Sequence, residues 1–277
     1  MSTKYKQFGL YTKITQYLVV VLTKRFRFVI SSFVQLLLFY YFRDYLYNFF
    51  FLFIFIFVTF VIQVLTIWSS EVKSKLWVYL FGIFVNVSLV TFYNVYPQLK
   101  PSLKVIYSLI FGVFNYSFLI TSNVFLVSFE RGRKIPLIRA SLTLNSILNL
   151  FVLFFFYVSS IKLWPNIFFQ VLSIFISTYI ISWYYFFVNN IDIERNKKYI
   201  IESFLVSVLI VQTYLVLIFK QLNFFYIALI LTTATYTLND YMKNYLKYSL
   251  KKQVIISYFI INFIVFFVAI LSNQFLN

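Results

Sequence analysis

Two residues of this chain that could carry a proton or an ion, Glu202 and Arg139, fall at the edges of long apolar stretches. An ionisable side chain inside a membrane-spanning helix is costly, so it commonly lines a pathway, relays protons or pairs with a counter-charge. Both sit towards the same end of their spans, so they could pair across a helix bundle. Lys198, one helical turn before Glu202, offers a nearer partner. A charge at the edge of a span costs much less than one at its centre, which favours an interfacial charge over a relay. Neutral polar residues also recur at helical spacing: Ser141, Asn145 and Asn149; Gln170, Ser173 and Ser177; Ser203 and Ser207; Ala228, Thr232 and Thr235. Such stripes join helices through close approach and interhelical hydrogen bonds, or line a polar path. No charge lies at mid-depth, so packing is expected. The candidate residues are therefore Glu202, Arg139, Asn145, Asn149 and Thr232.

Other chemistry is closed off by composition. The chain has no cysteine and no histidine, which rules out disulfides, thiol nucleophiles, imidazole acid–base catalysis and zinc sites of the usual kind. With four glycines in 277 residues there is no phosphate-cradling loop. The expectation is no catalytic constellation, no cofactor, no metal and no nucleic-acid partner.

The elements that must position these residues are helices in lipid. The chain is 62% hydrophobic and 11% charged, against about 25% charged for a soluble domain. Its apolar runs are continuous, as in Phe49 to Phe60, whereas a membrane barrel alternates polarity along short segments. A spanning helix needs roughly 20 apolar residues. On that measure nine spans are read, at 28–42, 48–69, 76–93, 105–128, 140–161, 165–189, 199–219, 222–238 and 254–273. The fold class is an all-α polytopic transmembrane bundle. The eighth span is short and poor in aromatics, which places it in the bundle centre.

Basic residues orient the bundle. With the N-terminus inside, 19 of the 24 lysines and arginines fall on the inner side and five outside. This predicts an inner N-terminus and an outer C-terminus. Of the acidic residues, only Asp44 lies outside. The inner face keeps an excess of positive charge that suits anionic lipid head groups; other membrane subunits are the further partners considered.

Residues 1–27 are too polar to span. On a helix, Lys6, Lys13 and Lys24 form one line, with Phe8, Tyr11, Ile14, Leu18 and Leu22 opposite. This reads as an amphipathic helix in the membrane interface, or as a basic leader that sets topology. The remaining domain is the bundle, 28–277. Lys243, Lys247 and Lys251 suggest a short juxtamembrane helix within 239–253. All four prolines lie at predicted ends or loops, so the broken helices common in secondary transporters are not expected. Phe, Tyr, Ile, Asn and Lys have AT-rich codons, which weakens any reading of a single aromatic residue as functional.

Two stretches carry a resemblance. Residues 21–41 read VLTKRFRFVISSFVQLLLFYY, and 119–140 contain LITSNVF and IPLIRA. Together they resemble a family of multi-pass membrane proteins of candidate-phyla, Microgenomates-type bacteria, to which no activity is attached. The resemblance implies a bacterial cytoplasmic membrane. The Phe-rich composition leaves a mitochondrial inner membrane as the alternative. The function expected is a non-enzymatic structural or interaction component of a membrane assembly; the alternative is a transporter or channel for a small or lipidic solute.

Overall fold

The computed structural model describes residues 24–67, 75–96, 98–131, 137–189, 196–220, 222–246 and 252–276. Among these the chain forms nine helices and no strand: α1 (Lys24–Phe42), α2 (Phe49–Ile67), α3 (Lys75–Val95), α4 (Pro101–Arg131), α5 (Ile138–Leu163), α6 (Ile167–Asn189), α7 (Asn196–Ile218), α8 (Phe224–Leu246) and α9 (Lys252–Leu276). A single 3-10 turn, Arg43–Tyr45, links α1 towards α2. An all-α bundle is the fold that lipid requires of this composition, because each helix satisfies its own backbone groups.

Eight of the nine helices are long and apolar enough to cross a membrane. The exception is α8, where the eighth span was expected. Thr232, Thr233, Thr235, Thr237, Asn239 and Asp240 lower its apolarity. The reason is position: α8 packs against α5, α6, α7 and α9, so protein rather than lipid meets most of its surface. Its Ala228, Leu231 and Thr235 are fully buried.

Packing divides into two connected halves. In the first, α1 lies along α4, and α2 and α3 complete a four-helix group. Its core is aromatic: Phe39 stacks on Phe111 at 4.6 Å and meets Phe55, Tyr93 and Tyr107 edge-on or tilted. In the second, α6 and α7 form the most extensive pair, with α5 and α8 beside them. The long contact between α3 and α5 joins the halves, along with Trp77 against Trp183 and Phe81 stacked on Tyr184 at 4.0 Å.

The polar stripes lie inside. Ser141, Asn145, Asn149, Gln170, Ser177, Ser203, Ser207, Thr232 and Thr235 are all buried. Burial against neighbouring helices is what a packing role requires. Outward faces are largely apolar, and α9 is the extreme case: only 6% of its spanning window is buried, and its packing is chiefly against α8.

Two expectations meet the chain differently. Residues 24–27 belong to the spanning helix α1, and the rest of the N-terminal amphipathic segment lies outside the described residues. The separate juxtamembrane helix within 239–253 is, as far as Leu246, a continuation of α8; the following residues, including Lys247 and Lys251, lie outside the described set. Pro101 opens α4, where its missing N–H costs nothing, and Pro165 sits between α5 and α6. No described helix is interrupted.

Candidate functional site

Two polar clusters mark opposite ends of the bundle. One surrounds Asp44 in the turn after α1. Its Oδ1 accepts from the Lys104 ammonium at 2.9 Å and from the Tyr93 hydroxyl at 3.4 Å, and Arg43 lies 3.8 Å from Oδ2. The start of α4 and the end of α3 are thereby tied to the α1–α2 turn. Asn94 adds a bond from its amide to the Leu46 carbonyl at 3.2 Å.

The other surrounds Asp240, past the apolar part of α8. Lys243 donates to Oδ1 at 2.6 Å and Tyr185 donates to the same oxygen at 3.0 Å. Tyr258 of α9 donates to Oδ2 through a short bond, and the Asn244 amide reaches Oδ2 at 3.4 Å and the Tyr258 hydroxyl at 3.0 Å. The ammonium of Lys243 also lies over the Tyr185 ring. One carboxylate thus gathers donors from α6, α8 and α9. One turn deeper, Asn262 donates to Thr237 Oγ1 at 2.8 Å. Burial pushes the Asp240 carboxyl up, but the Lys243 ammonium and the Tyr258 and Tyr185 hydroxyls outweigh it and hold it below the usual carboxylate range. A depressed carboxyl stabilises the fold above its ordinary titration range. That stabilisation is lost as pH falls through the lowered value.

Between the ends, tyrosines close the stripes. Tyr157 of α5 shares its hydroxyl with Thr178 of α6 at 2.7 Å and Thr235 of α8 at 3.0 Å. Tyr184 of α6 donates to Asn145 Oδ1 at 3.2 Å. Tyr214 of α7 donates to Gln170 Oε1 through a short bond, while the Gln170 amide caps the Ile161 and Trp164 carbonyls at the end of α5. Ser203 and Ser207 bond back to their own helix.

The candidate residues separate. Asn145 is part of this network. Thr232 is buried and donates to the Ala228 carbonyl at 2.7 Å. Asn149 is 4% exposed, and neither atom of its amide has a hydrogen-bond partner. Glu202 is half-buried on α7, whereas Arg139 is exposed on α5, and no ion pair joins them. The residues that sequence reading missed are Tyr157, Tyr184, Tyr185, Tyr214 and Tyr258. Codon bias had discounted every tyrosine alike. The available signal was placement: each lies within reach of a polar residue on a neighbouring helix.

Two surface grooves lie outside this network. One, of about 240 Å³, is lined by Phe175, Tyr179, Ile200, Ile201 and Phe204. The other, of about 200 Å³, lies between Phe92 and Ile110 and is lined by aromatic and aliphatic side chains. Both suit hydrocarbon.

No family model matches the chain, and no curated protein or solved structure matches it either.

Proposed function

We propose that this multi-pass membrane protein is a non-enzymatic structural or interaction component of a membrane assembly, acting through the shape and stability of its bundle. The observation that carries this reading is the use made of the polar stripes in α5–α8. Tyr157, Tyr184 and Tyr214 bond Thr178, Thr235, Asn145 and Gln170 helix to helix, so these polar groups, which could have lined a path, serve as joints. The apolar exterior, with α9 set at the edge, offers lipid and partner helices the same kind of surface.

The reading is tested by the native mass of the protein released into nanodiscs. A defined complex with other subunits is the expected result. A monomer or homo-oligomer carrying one specific solute would instead favour a transporter, and would overturn the component reading.

The proposed orientation has the N-terminus and the Asp240 end inside, in a bacterial cytoplasmic membrane, and the Asp44 end outside. The basic-residue asymmetry supports it. So does the gathering of α1, α3 and α4 ends around Asp44 and of α6, α8 and α9 ends around Asp240, as alternate crossings require. Because the chain has no native cysteine, single thiols report cleanly. Tyr47→Cys, 48% exposed, should react with a membrane-impermeant maleimide in intact cells. Tyr245→Cys, 59% exposed, should react only after permeabilisation. The reverse pattern would invert the topology.

A further inference from the structure

The first four helices hold a second polar assembly that the stripes do not reach. Gln35 of α1, Thr59 and Gln63 of α2, Asn86 of α3 and Asn115 of α4 are each 0% exposed. Their contacts place them in one layer. Gln35 and Asn115 lie one turn from Phe39 and Phe111, which stack on each other, and Thr59 lies one turn from Phe55, which meets both rings. Gln63 donates to Asn115 Oδ1 at 3.1 Å. A Cβ at Gly82 would run into Gln63 Oε1 and lie 2.7 Å from Phe118, so the Gly82 face of α3 meets α2 and α4. Asn86 shares that face: at 3.6 residues per turn, Gly82, Asn86 and Tyr93 fall within roughly 40° of one another. Tyr93 in turn packs on Phe39 and Tyr107.

Unlike the joints made by Tyr157, Tyr184 and Tyr214, this layer gathers several unpaired amide atoms from three helices. The oxygens of Gln35 and Gln63 and both amide atoms of Asn86 have no hydrogen-bond partner in the protein. Leaving a buried amide unmade carries its full desolvation penalty, which an apolar side chain of the same shape does not. Three such side chains on three helices facing one layer are too costly for packing alone. They suit a site whose bonds are completed by something else. The groups are neutral, they offer both donors and acceptors, and no ionised side chain is among them. A charged ligand at this depth would have no counter-charge to offset its desolvation.

We propose that Gln35, Gln63, Asn86 and Asn115, with Thr59, form a buried binding site for a small neutral hydrogen-bonding solute near the middle of the membrane. The aromatic group of Phe39, Phe55, Tyr93, Tyr107 and Phe111 closes it towards the Asp44 end. Gly82 gives the Gln63 amide its room.

Water is the smallest such solute and serves as the probe. X-ray hydroxyl-radical footprinting of the full chain in nanodiscs oxidises rings that lie beside bound water, even buried ones. Phe111 and Phe118 should be oxidised several-fold faster than Phe186, which is equally buried but lies in α6. Asn86→Leu should return both to the Phe186 rate and lower the melting temperature, because it removes bonds that the site makes. Equal rates at all three rings in the native chain would overturn the proposal. So would a higher melting temperature in Asn86→Leu, the result expected when a merely unsatisfied amide is replaced by hydrocarbon. Should Asn86→Leu fail to assemble, Gln35→Leu carries the same comparison with the same two outcomes.

Discussion

Asp240→Ala should free α9 while leaving the rest of the bundle folded. The carboxylate is the common acceptor for Lys243, Tyr185, Tyr258 and Asn244, so its loss leaves four donors without their partner at once. Its side chain is 21% exposed, so water relieves part of the penalty. A cost of about 1–3 kcal/mol is expected, at the level of hydrogen bonds to a charged group. That cost falls on α9 because, among the described residues, α9 packs chiefly on α8, and because its buried contacts are few: Tyr258 and Asn262 bond, and Ala269 is the described side chain fully enclosed. Each 1.4 kcal/mol is about tenfold in an opening equilibrium. Hydrogen exchange across α9 should therefore rise from several-fold to about a hundredfold, with α6 and α7 unchanged. Tyr258→Phe should give a smaller rise in the same helix. A uniform rise over all helices would mean that Asp240 supports the whole bundle, and no change would mean that α9 is held by lipid or by a partner.

The elements of this fold were legible because lipid imposes a simple rule. A run of apolar residues long enough to cross hydrocarbon has few alternatives to a helix; all nine expected spans are helical among the described residues, eight of them long and apolar enough to cross. The expected span 165–189 became Ile167–Asn189, and 76–93 became Lys75–Val95. The eighth span was expected at the bundle centre because it is short and poor in aromatics; α8 is indeed surrounded, by α5, α6, α7 and α9, within the second half of the bundle. What composition could not show was which polar side chains meet. The serines and asparagines of α5 repeat, and repetition reveals a stripe. Gln35, Gln63, Asn86 and Asn115 stand one to a helix, with at most serine or threonine one turn away, as Ser31 is from Gln35 and Thr59 from Gln63, so no amide recurs at the next turn. Their common depth becomes visible only once α1–α4 are packed. Tyrosine was hidden differently. Its codons are favoured by the same bias that enriches phenylalanine, and only geometry separates Tyr157, bonded to two helices, from Tyr41, 69% exposed.

Both clusters at the bundle ends use one carboxylate to collect donors from several helices, and they fix different things. Asp44 joins elements that already pack through the Phe39 aromatic group, so it adds to an interface that stands without it. Asp240 reaches a helix with little else to hold it. Equal chemistry therefore has unequal consequences, decided by the packing behind each charge. The packing behind each position likewise separates the two spanning-helix glycines, Gly82 and Gly112.

Gly82→Leu should abolish recovery of a monodisperse protein, and Gly82→Ala should cost about 1–3 kcal/mol, the range for overpacking a filled core. A Cβ at this position would press on the Gln63 amide and lie 2.7 Å and 2.8 Å from Phe118 Cζ and Cε1. Phe118 is fully buried beside Phe81, so its ring has nowhere to go. Gln63 could turn aside only by giving up its bond to Asn115, which would leave a further amide unpaired at mid-depth. At Gly112 the added Cβ would lie 2.7 Å from Leu36 Cδ1. Leu36 is only half-buried and can swing towards lipid, so Gly112→Ala should cost less. Thermal unfolding in a mild detergent should thus rank Gly82→Ala below Gly112→Ala, and both below the native chain. The opposite order would place the tight crossing at α1–α4 instead of at α2–α3–α4. It would also remove the close approach of Gly82, one turn from Asn86, to Gln63. The ranking therefore tests the geometry of the buried amide layer independently of what that layer binds.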